Sequence, residues 1–344
     1  MLPDIQGKTI LVTGGTGSVG SEIVRQLIPL HPRSVRVFAR GEMGHYKLRN
    51  SLGDRAGNVR FIVGSITDKD RLRLAMEGVD IVFHAAALKH IDICEDNPFE
   101  AVKTNIIGTQ NVIDFARELN IEKVIAISTD KAANPESVLG VSKLMAEKLI
   151  LNTYYYLGDK RTKFACVRFG NVLGSNGSAV PLFKKQIQEH NCITITDPAM
   201  TRFIMTIPQA VGLVLKASAV MTGHEVFVLK MPAVNIETLA RCVIDVFAPK
   251  SNEGKREVAI KVIGSRAGDK KHEALLSDHE IHHAWETSDM YILTPHETVW
   301  GQRYQTTYPD ARKVSQQSFS SEHAQQLTKD ELHKLFNKDI VHYI

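Results

Sequence analysis

Cysteine is scarce in this chain of 344 residues: Cys94, Cys166, Cys192 and Cys242 are the whole complement. They stand far apart and form no CxxC pair, so neither a zinc-site spacing nor a disulfide framework is present, and reduced thiols in a cytoplasmic protein are expected. Long apolar runs are missing as well, which excludes a membrane-spanning helix. There is no block of basic residues; the net charge is only +4, and a nucleic-acid surface is not expected. A strand is expected to begin by Thr9, which leaves no room for a signal peptide. No internal repeat and no low-complexity tract occurs. His279, His282 and His283 cluster, but their spacing matches no metal motif; they read as exposed imidazoles, and no metal is expected.

What is present is a chain with 43% hydrophobic and 23% charged residues, enough for a real core in one large or two medium domains. Residues 9–20 read Thr-Ile-Leu-Val-Thr-Gly-Gly-Thr-Gly-Ser-Val-Gly. Ile10, Leu11 and Val12 form a short buried strand. Gly14, Gly17 and Gly20 follow, and Ile23, Val24, Leu27 and Ile28 then recur at helical period. Strand, glycine turn and helix in that order form a cradle for a dinucleotide pyrophosphate. Gly14 makes the tight turn, Gly17 lets backbone approach the phosphates, and Gly20 lets helix and strand pack closely. The helix N-terminus adds free N–H groups and partial positive charge.

Apolar runs at 35–39, 59–63, 81–85, 123–128 and 164–168 continue as strands. Helical stretches at 69–76, 98–119 and 141–157 fall between them. This alternation predicts an α/β fold, a doubly wound parallel sheet of Rossmann type, with ligands beyond the carboxyl ends of its strands. Residues 1–170 form the dinucleotide domain, with segments near 210–230 returning to it. Residues 171–300 form a smaller substrate domain. Within it, helices are expected over 210–220 and 236–247, strands over 226–229 and 258–263, and a polar surface connection over Pro249–Lys255. Residues 301–344 form a polar tail, in which Thr328 to Phe336 begins like a capped helix.

The second strand ends at Ala39-Arg40. A 2′-phosphate usually meets an arginine there, and a free ribose an acid, so Arg40 favours NADP over NAD. Ser65 and Ile66 follow the third strand, where an adenine would lie. Ala85, Ala86 and Ala87 follow the fourth and leave room for a cofactor backbone, with Lys89 just beyond. Ser128-Thr129-Asp130-Lys131 closes the fifth, and Lys143 lies twelve residues beyond Lys131 on the next helix. The plainer alternatives are tight helix packing at the alanines, a surface ion pair at Asp130-Lys131, and exposed charges at Arg40, Lys89 and Lys143.

The segments TGGTGSVG, HAAALKH, NIIGTQNV, STDKAANP, Ser142-Lys143, RFGNVLGSNGS, TDPAMTRF and GSRAGDKKHEALL together resemble the extended short-chain dehydrogenase/reductases. Within them the chain resembles the CapE-like, C5-inverting subgroup of the capsular-polysaccharide UDP-N-acetylglucosamine 4,6-dehydratases. The resemblance covers nearly the whole chain. It implies C4 oxidation, loss of water across C5–C6, and hydride return to C6. It also implies NADP, held by Gly14, Thr16, Gly17, Ser18, Val19, Gly20 and Arg40 at one end. Ser65, Ile66, Ala85–Ala87, Lys89, Asn105, Ser128 and Lys143 complete that set. Asp130 is then the acid towards O6 and Lys131 the base at C5. Lys131 needs a depressed pKa, which burial, Lys143 and an oxidised nicotinamide would supply. Thr129 would hydrogen-bond the C4 hydroxyl. For the UDP-sugar the resemblance implies Lys89, Asn171, Ser178, Val180, Thr201 and Arg202, with Arg266 on phosphate or uridine and Glu273 on the uridine ribose. A homo-oligomer is expected, because this fold often associates through helices flanking the sheet.

Two residues depart from the wider superfamily. Leu139 stands where the YxxxK tyrosine belongs and cannot accept a proton, so Asp130 or a water held by it and Thr129 must serve C4 oxidation. Ser65 stands where an aspartate usually meets the adenine. Two other functions fit parts of the pattern. A UDP-sugar 4-epimerase shares the fold and the hydride abstraction but needs no C5 base. A non-catalytic NADP-binding protein would explain Leu139.

Overall fold

The computed structural model describes residues 4–336 except 249, 252, 253, 256, 267, 295–297, 300, 301, 304–307, 316 and 317. Pro249, Asn252 and Glu253 of the polar connection, and residues 337–344 of the tail, therefore lie outside the described residues.

The first half alternates strand and helix: β1 (Thr9–Thr13), α1 (Ser18–Leu27), β2 (Ser34–Ala39), α2 (Glu42–Leu52), β3 (Val59–Val63), α3 (Lys69–Met76) and β4 (Ile81–His84). Short helices α4 (Ile91–Asp96) and α5 (Pro98–Ala101) lead into α6 (Gly108–Glu118). Then come β5 (Lys123–Ile127), α7 (Val138–Asn152) and β6 (Lys163–Arg168). The strands are short and rich in Val, Ile and Phe, and the inner ones, β1 and β4 to β6, are buried almost throughout, which is what a parallel sheet covered by helices requires. They pair in the order β3-β2-β1-β4-β5-β6, all parallel, with Val12 flanked by Val37 and Phe83. The strand order reverses beside β1, which opens a crevice at the carboxyl ends of β1 and β4.

The helical stretch expected as one piece over Pro98–Leu119 is interrupted. Between α5 and α6, Val102–Ile107 winds as a π-helix. Its wider turn sends Asn105 into the interior, where it is 1% exposed and holds the backbone of Leu88. Helix α7 begins at Val138, earlier than apolar spacing suggested, because Ser137 caps it by accepting from the Gly140 N–H at 3.1 Å.

Beyond Gly170 the chain adds β7 (Asn171–Leu173), α8 (Ala179–His190), β8 (Cys192–Ile195), β9 (Thr201–Thr206), α9 (Ile207–Val220), β10 (Glu225–Leu229), β11 (Ala233–Asn235) and α10 (Ile236–Phe247). Strand β10 pairs parallel with β6. Met290–Leu293, Ala284–Glu286 and Arg312–Lys313 extend the same sheet, all antiparallel. The main core thus takes in residues from both halves of the chain. A second apolar core gathers Leu173, Phe183, Ile193, Leu239 and Val243, with Leu332 and Phe336 of the capped helix Lys329–Leu335 closing it.

Arg168 anchors the end of β6. It is fully buried, chelates Glu147 of α7 at 2.6 and 3.1 Å, and meets Glu280 at 2.9 Å. Both carboxylates share one guanidinium, so three segments are fixed to the strand that leads into the site.

Candidate active site

A cleft of about 630 Å³ runs along the carboxyl ends of the strands. One end is the glycine turn. A Cβ on Gly14 would sit 2.7 Å from the backbone of Ala85 and Ala86, and its φ is +65°. A Cβ on Gly20 would sit 2.3 Å from the Gly14 carbonyl oxygen. Only glycine allows the β1 turn, α1 and the β4 exit to meet so closely.

A hydrogen-bonded relay then sets the β4 exit. Thr109 Oγ1 donates to the Asn105 carbonyl at 2.7 Å, so it accepts from Nε2–H of His84 at 3.1 Å. Nδ1 of His84 is left to accept from Thr13 Oγ1 at 2.7 Å, and Thr13 in turn accepts the Ala86 N–H at 3.4 Å. Burial, helped by the positive Lys143, pulls His84 down to about 3, so the ring stays neutral and the tautomer is fixed. Three small alanines are thereby held open against the glycine turn.

Gly14, Thr16–Gly20, Arg40, Ser65, Ile66 and Ala85–Ala87 line one stretch of the cleft; Lys89, Ser128, Thr129, Lys131, Lys143, Asn171 and Ser178 line the other. Arg40 is exposed at the rim. The hydroxyls of Ser128 and Ser178 are buried and unpartnered. Ser178 stands just before the N-terminus of α8 without capping it, and α1 likewise opens onto the cleft. Two helix N-termini, a backbone cradle closed to side chains and orphan hydroxyls fit a dinucleotide with a second phosphate-bearing ligand.

The far end carries the reactive side chains. Lys143 donates to the Ile127 carbonyl at 2.6 Å, and burial lowers its pKa. Leu139 is 4% exposed, packs with Cys94 and Ala101, and turns an apolar wall to the cleft. Asp130 is fully buried beside Phe169 and Gly170 and does not line the cleft. Its Oδ1 accepts from Thr129 Oγ1 at 2.9 Å and from Lys131 Nζ at 3.2 Å, while Oδ2 has no partner. Burial pushes the Asp130 carboxyl above the usual range, although Lys131 pulls the other way.

Lys131 differs from the sequence expectation. Burial does act to lower its pKa, but Asp130 and Glu273 outweigh it and hold the ammonium above the ordinary lysine range. Asp130 has the larger effect of the two carboxylates acting on it, and the second is Glu273, expected on a uridine ribose. It is 2% exposed, does not line the cleft, and places Oε1 3.1 Å from Lys131 Nζ.

Four other expected contacts also sit away from the cleft wall. Val180 is buried in the second core. Thr201 bonds His272 at 2.8 Å and Ser321 at 2.7 Å. Arg202 spends its guanidinium on the carbonyls of Thr201, Lys270 and Lys271. Arg266 is exposed and lines no part of the cleft. Asn105 acts on the Leu88 backbone rather than on the cleft itself.

The polysaccharide biosynthesis protein family matches residues 10–295. The chain belongs to this family. Among its relatives, an uncharacterized membrane protein of Methanocaldococcus jannaschii is 46% identical over 96% of each chain. In the present family member no described helix is long and apolar enough to cross a membrane. An inverting UDP-N-acetylglucosamine 4,6-dehydratase of Campylobacter jejuni is 40% identical over 84% of this chain and 83% of its own. A UDP-glucose 4-epimerase of Rickettsia bellii is 38% identical over 83% and 82%. The solved structure of Pen from Bacillus thuringiensis superposes with a TM-score of 0.89, at 38% identity over 99% of each chain.

Sequence reasoning missed the Thr13–His84–Thr109 relay and the inward turn of Glu273. Thr13 and His84 had a signal, since both stand at strand ends, but Thr109 lies inside a helical pattern that does not show the turn beside it. The inward turn of Glu273 had none, because it pairs residues from distant segments.

Proposed function

We propose that this protein is a UDP-N-acetylglucosamine 4,6-dehydratase that inverts C5, uses NADP, and serves surface polysaccharide biosynthesis. The observation that carries the reading is the Asp130–Lys131 pair at 3.2 Å, with Lys131 on the cleft wall and Asp130 buried beside it. A nicotinamide dinucleotide bound in the cleft would supply the hydride acceptor and donor and end each turnover as it began.

The chain's own residues supply the proton chemistry. Once C4 is a ketone, the C5–H bond is acidic. Lys131, whose ammonium first gives one proton to Asp130, takes the C5 proton as the amine, the electron pair forms the C5–C6 double bond, and the C6–O6 bond breaks. Asp130 provides the proton that turns O6 into water. Because Asp130 is enclosed, its proton reaches the cleft through the Thr129 hydroxyl, which is bonded to Oδ1 and lines the wall. Two groups of opposite protonation, held side by side, are what an elimination needs. Lys143 and the two helix N-termini supply positive potential for the dinucleotide and the sugar diphosphate.

The similarity to the Rickettsia bellii UDP-glucose 4-epimerase favours a second reading, a 4-epimerase. That reaction returns hydride to C4 and leaves Lys131 without a proton to take. Incubation of the NADP-loaded protein with UDP-N-acetylglucosamine separates the two. A product lighter by one water, with inverted C5 by NMR, supports the dehydratase. A product of unchanged mass favours the epimerase, and no product with NADP retained favours a binding protein.

A further inference from the structure

Lys131 has a second carboxylate at ion-pair distance that the acid–base assignment does not use. Glu273 Oε1 lies 3.1 Å from Lys131 Nζ, and Asp130 Oδ1 lies 3.2 Å from the same nitrogen. The other oxygen, Oε2, is buried without a partner. The loop that delivers Glu273 is clamped at every residue. Arg202 donates to the carbonyls of Lys270 at 2.8 Å and Lys271 at 3.1 Å. The Lys270 ammonium donates to the carbonyls of Ala133 at 2.9 Å and of Asn134, on the turn that carries Asp130 and Lys131. Glu273 itself exchanges two bonds with Ser321, at 2.9 and 2.7 Å. A surface ion pair has no need of such restraint.

We infer that Glu273 is a positioning residue: its carboxylate holds the Lys131 ammonium at the cleft wall and sets the charge state in which the Asp130–Lys131 pair begins and ends each turnover. This rests on the dehydratase reading. The charges facing the trio are Arg202 from β9 and Lys270 from the clamped loop. Burial works against an ionised Glu273, but Lys131 and Arg202 outweigh it and keep its pKa below the usual range.

The protons balance as follows. Lys131 starts as an ammonium between two carboxylates. One N–H bond breaks and one O–H bond forms on Asp130, with no change in the trio's total charge. The neutral amine then takes the C5 proton while the Asp130 carboxyl releases its proton towards O6. Outside the elimination, water takes the O4 proton released as C4 becomes a ketone and returns one to C5 once C6 is reduced. The ammonium and both carboxylates are thus restored, and Glu273 stays ionised throughout.

The test uses the full chain with Glu273→Gln and Glu273→Asp, each first checked by thermal melting. Lys131 in the ligand-free protein is trace-labelled with acetic anhydride over the alkaline range and read by peptide mass spectrometry. Loss of an adjacent opposite charge is expected to lower the labelling midpoint by about one to three pH units in Glu273→Gln. Glu273→Asp, with its carboxylate withdrawn by one methylene, should fall between that variant and the wild type. It alone decides the matter if Glu273→Gln does not fold. The alkaline limb of the turnover profile should move in step. An unchanged midpoint, or activity lost equally at every pH, overturns the inference. A wild type that dehydrates no UDP-sugar overturns the functional reading instead, while the labelling still decides whether Glu273 holds the charge.

Discussion

The backbone N–H of Asn176 donates to Ser18 Oγ at 2.9 Å, which ties the loop at 174–178 to the first turn of α1 across the dinucleotide cleft. The Lys89 ammonium grips the same residue through its carbonyl. On the dehydratase reading the cofactor is restored at every turnover, and a strap placed here would oppose its departure. Ser18→Ala removes one hydrogen bond worth about 1 kcal/mol. The expected result is a roughly fivefold faster release of NADPH, followed by fluorescence in a chase with excess NADP, with the melting temperature almost unchanged.

Arg40 sits exposed at the rim, at the end of β2. A charge-assisted bond to a 2′-phosphate contributes about 1.5–3 kcal/mol. Arg40→Ala should therefore weaken NADP by about tenfold or more and leave NAD nearly unaffected, by titration calorimetry. Equal losses for both would remove the phosphate contact.

Lys131→Ala should lower turnover of UDP-N-acetylglucosamine by at least about 100-fold, the scale of general base catalysis. NADP affinity should hold, because the glycine turn, the alanine exit and Lys143 are untouched. If affinity falls with activity, Lys131 is a cofactor ligand and not a base.

The Arg168 chelate predicts a pH dependence of stability. Burial works against an ionised Glu280, but Arg168 outweighs it and holds the carboxyl below the usual range. The folded pKa lies below the unfolded one, so the stabilisation is present above about pH 4 and is lost as pH falls through the folded value. Glu280→Gln should lower the melting temperature at neutral pH and flatten its fall under acid. Arg168→Ala, which strands Glu147 at 2% side-chain exposure, should cost about 3–5 kcal/mol in urea unfolding.

Much of this architecture is legible along the chain. The short apolar runs of the Val- and Ile-rich strands, the 3.6 period of the helices and the glycine spacing at 14, 17 and 20 are local signals, and β1 to β6 follow them. The antiparallel strands at Ala284–Glu286 and Met290–Leu293 left little trace, because short strands after a loop-rich stretch have too few positions to show a period. The π-turn at Val102–Ile107 is hidden inside a pattern that reads as one helix. The site divides in the same way. Gly14, Thr129, Lys131 and Lys143 stand at strand ends or one helical face away and line the cleft. Glu273 and Arg202 depend on the folding of β9 against the loop at 270–273, and no local pattern foretells which way an isolated acid or arginine will face. The depressed pKa expected at Lys131 left out two carboxylates, Asp130 beside it in the sequence and Glu273, which only the fold brings near.

The most direct test follows the hydride and the C5 proton together. UDP-N-acetylglucosamine carrying deuterium at C4 is turned over in ordinary water, and the unlabelled sugar in deuterated water, with both products read by NMR. The dehydratase account predicts that the C4 deuterium reappears on C6 of a 4-keto-6-deoxy sugar and that solvent deuterium enters C5 with inverted configuration. Deuterium retained at C4, with C5 untouched by solvent, would contradict it.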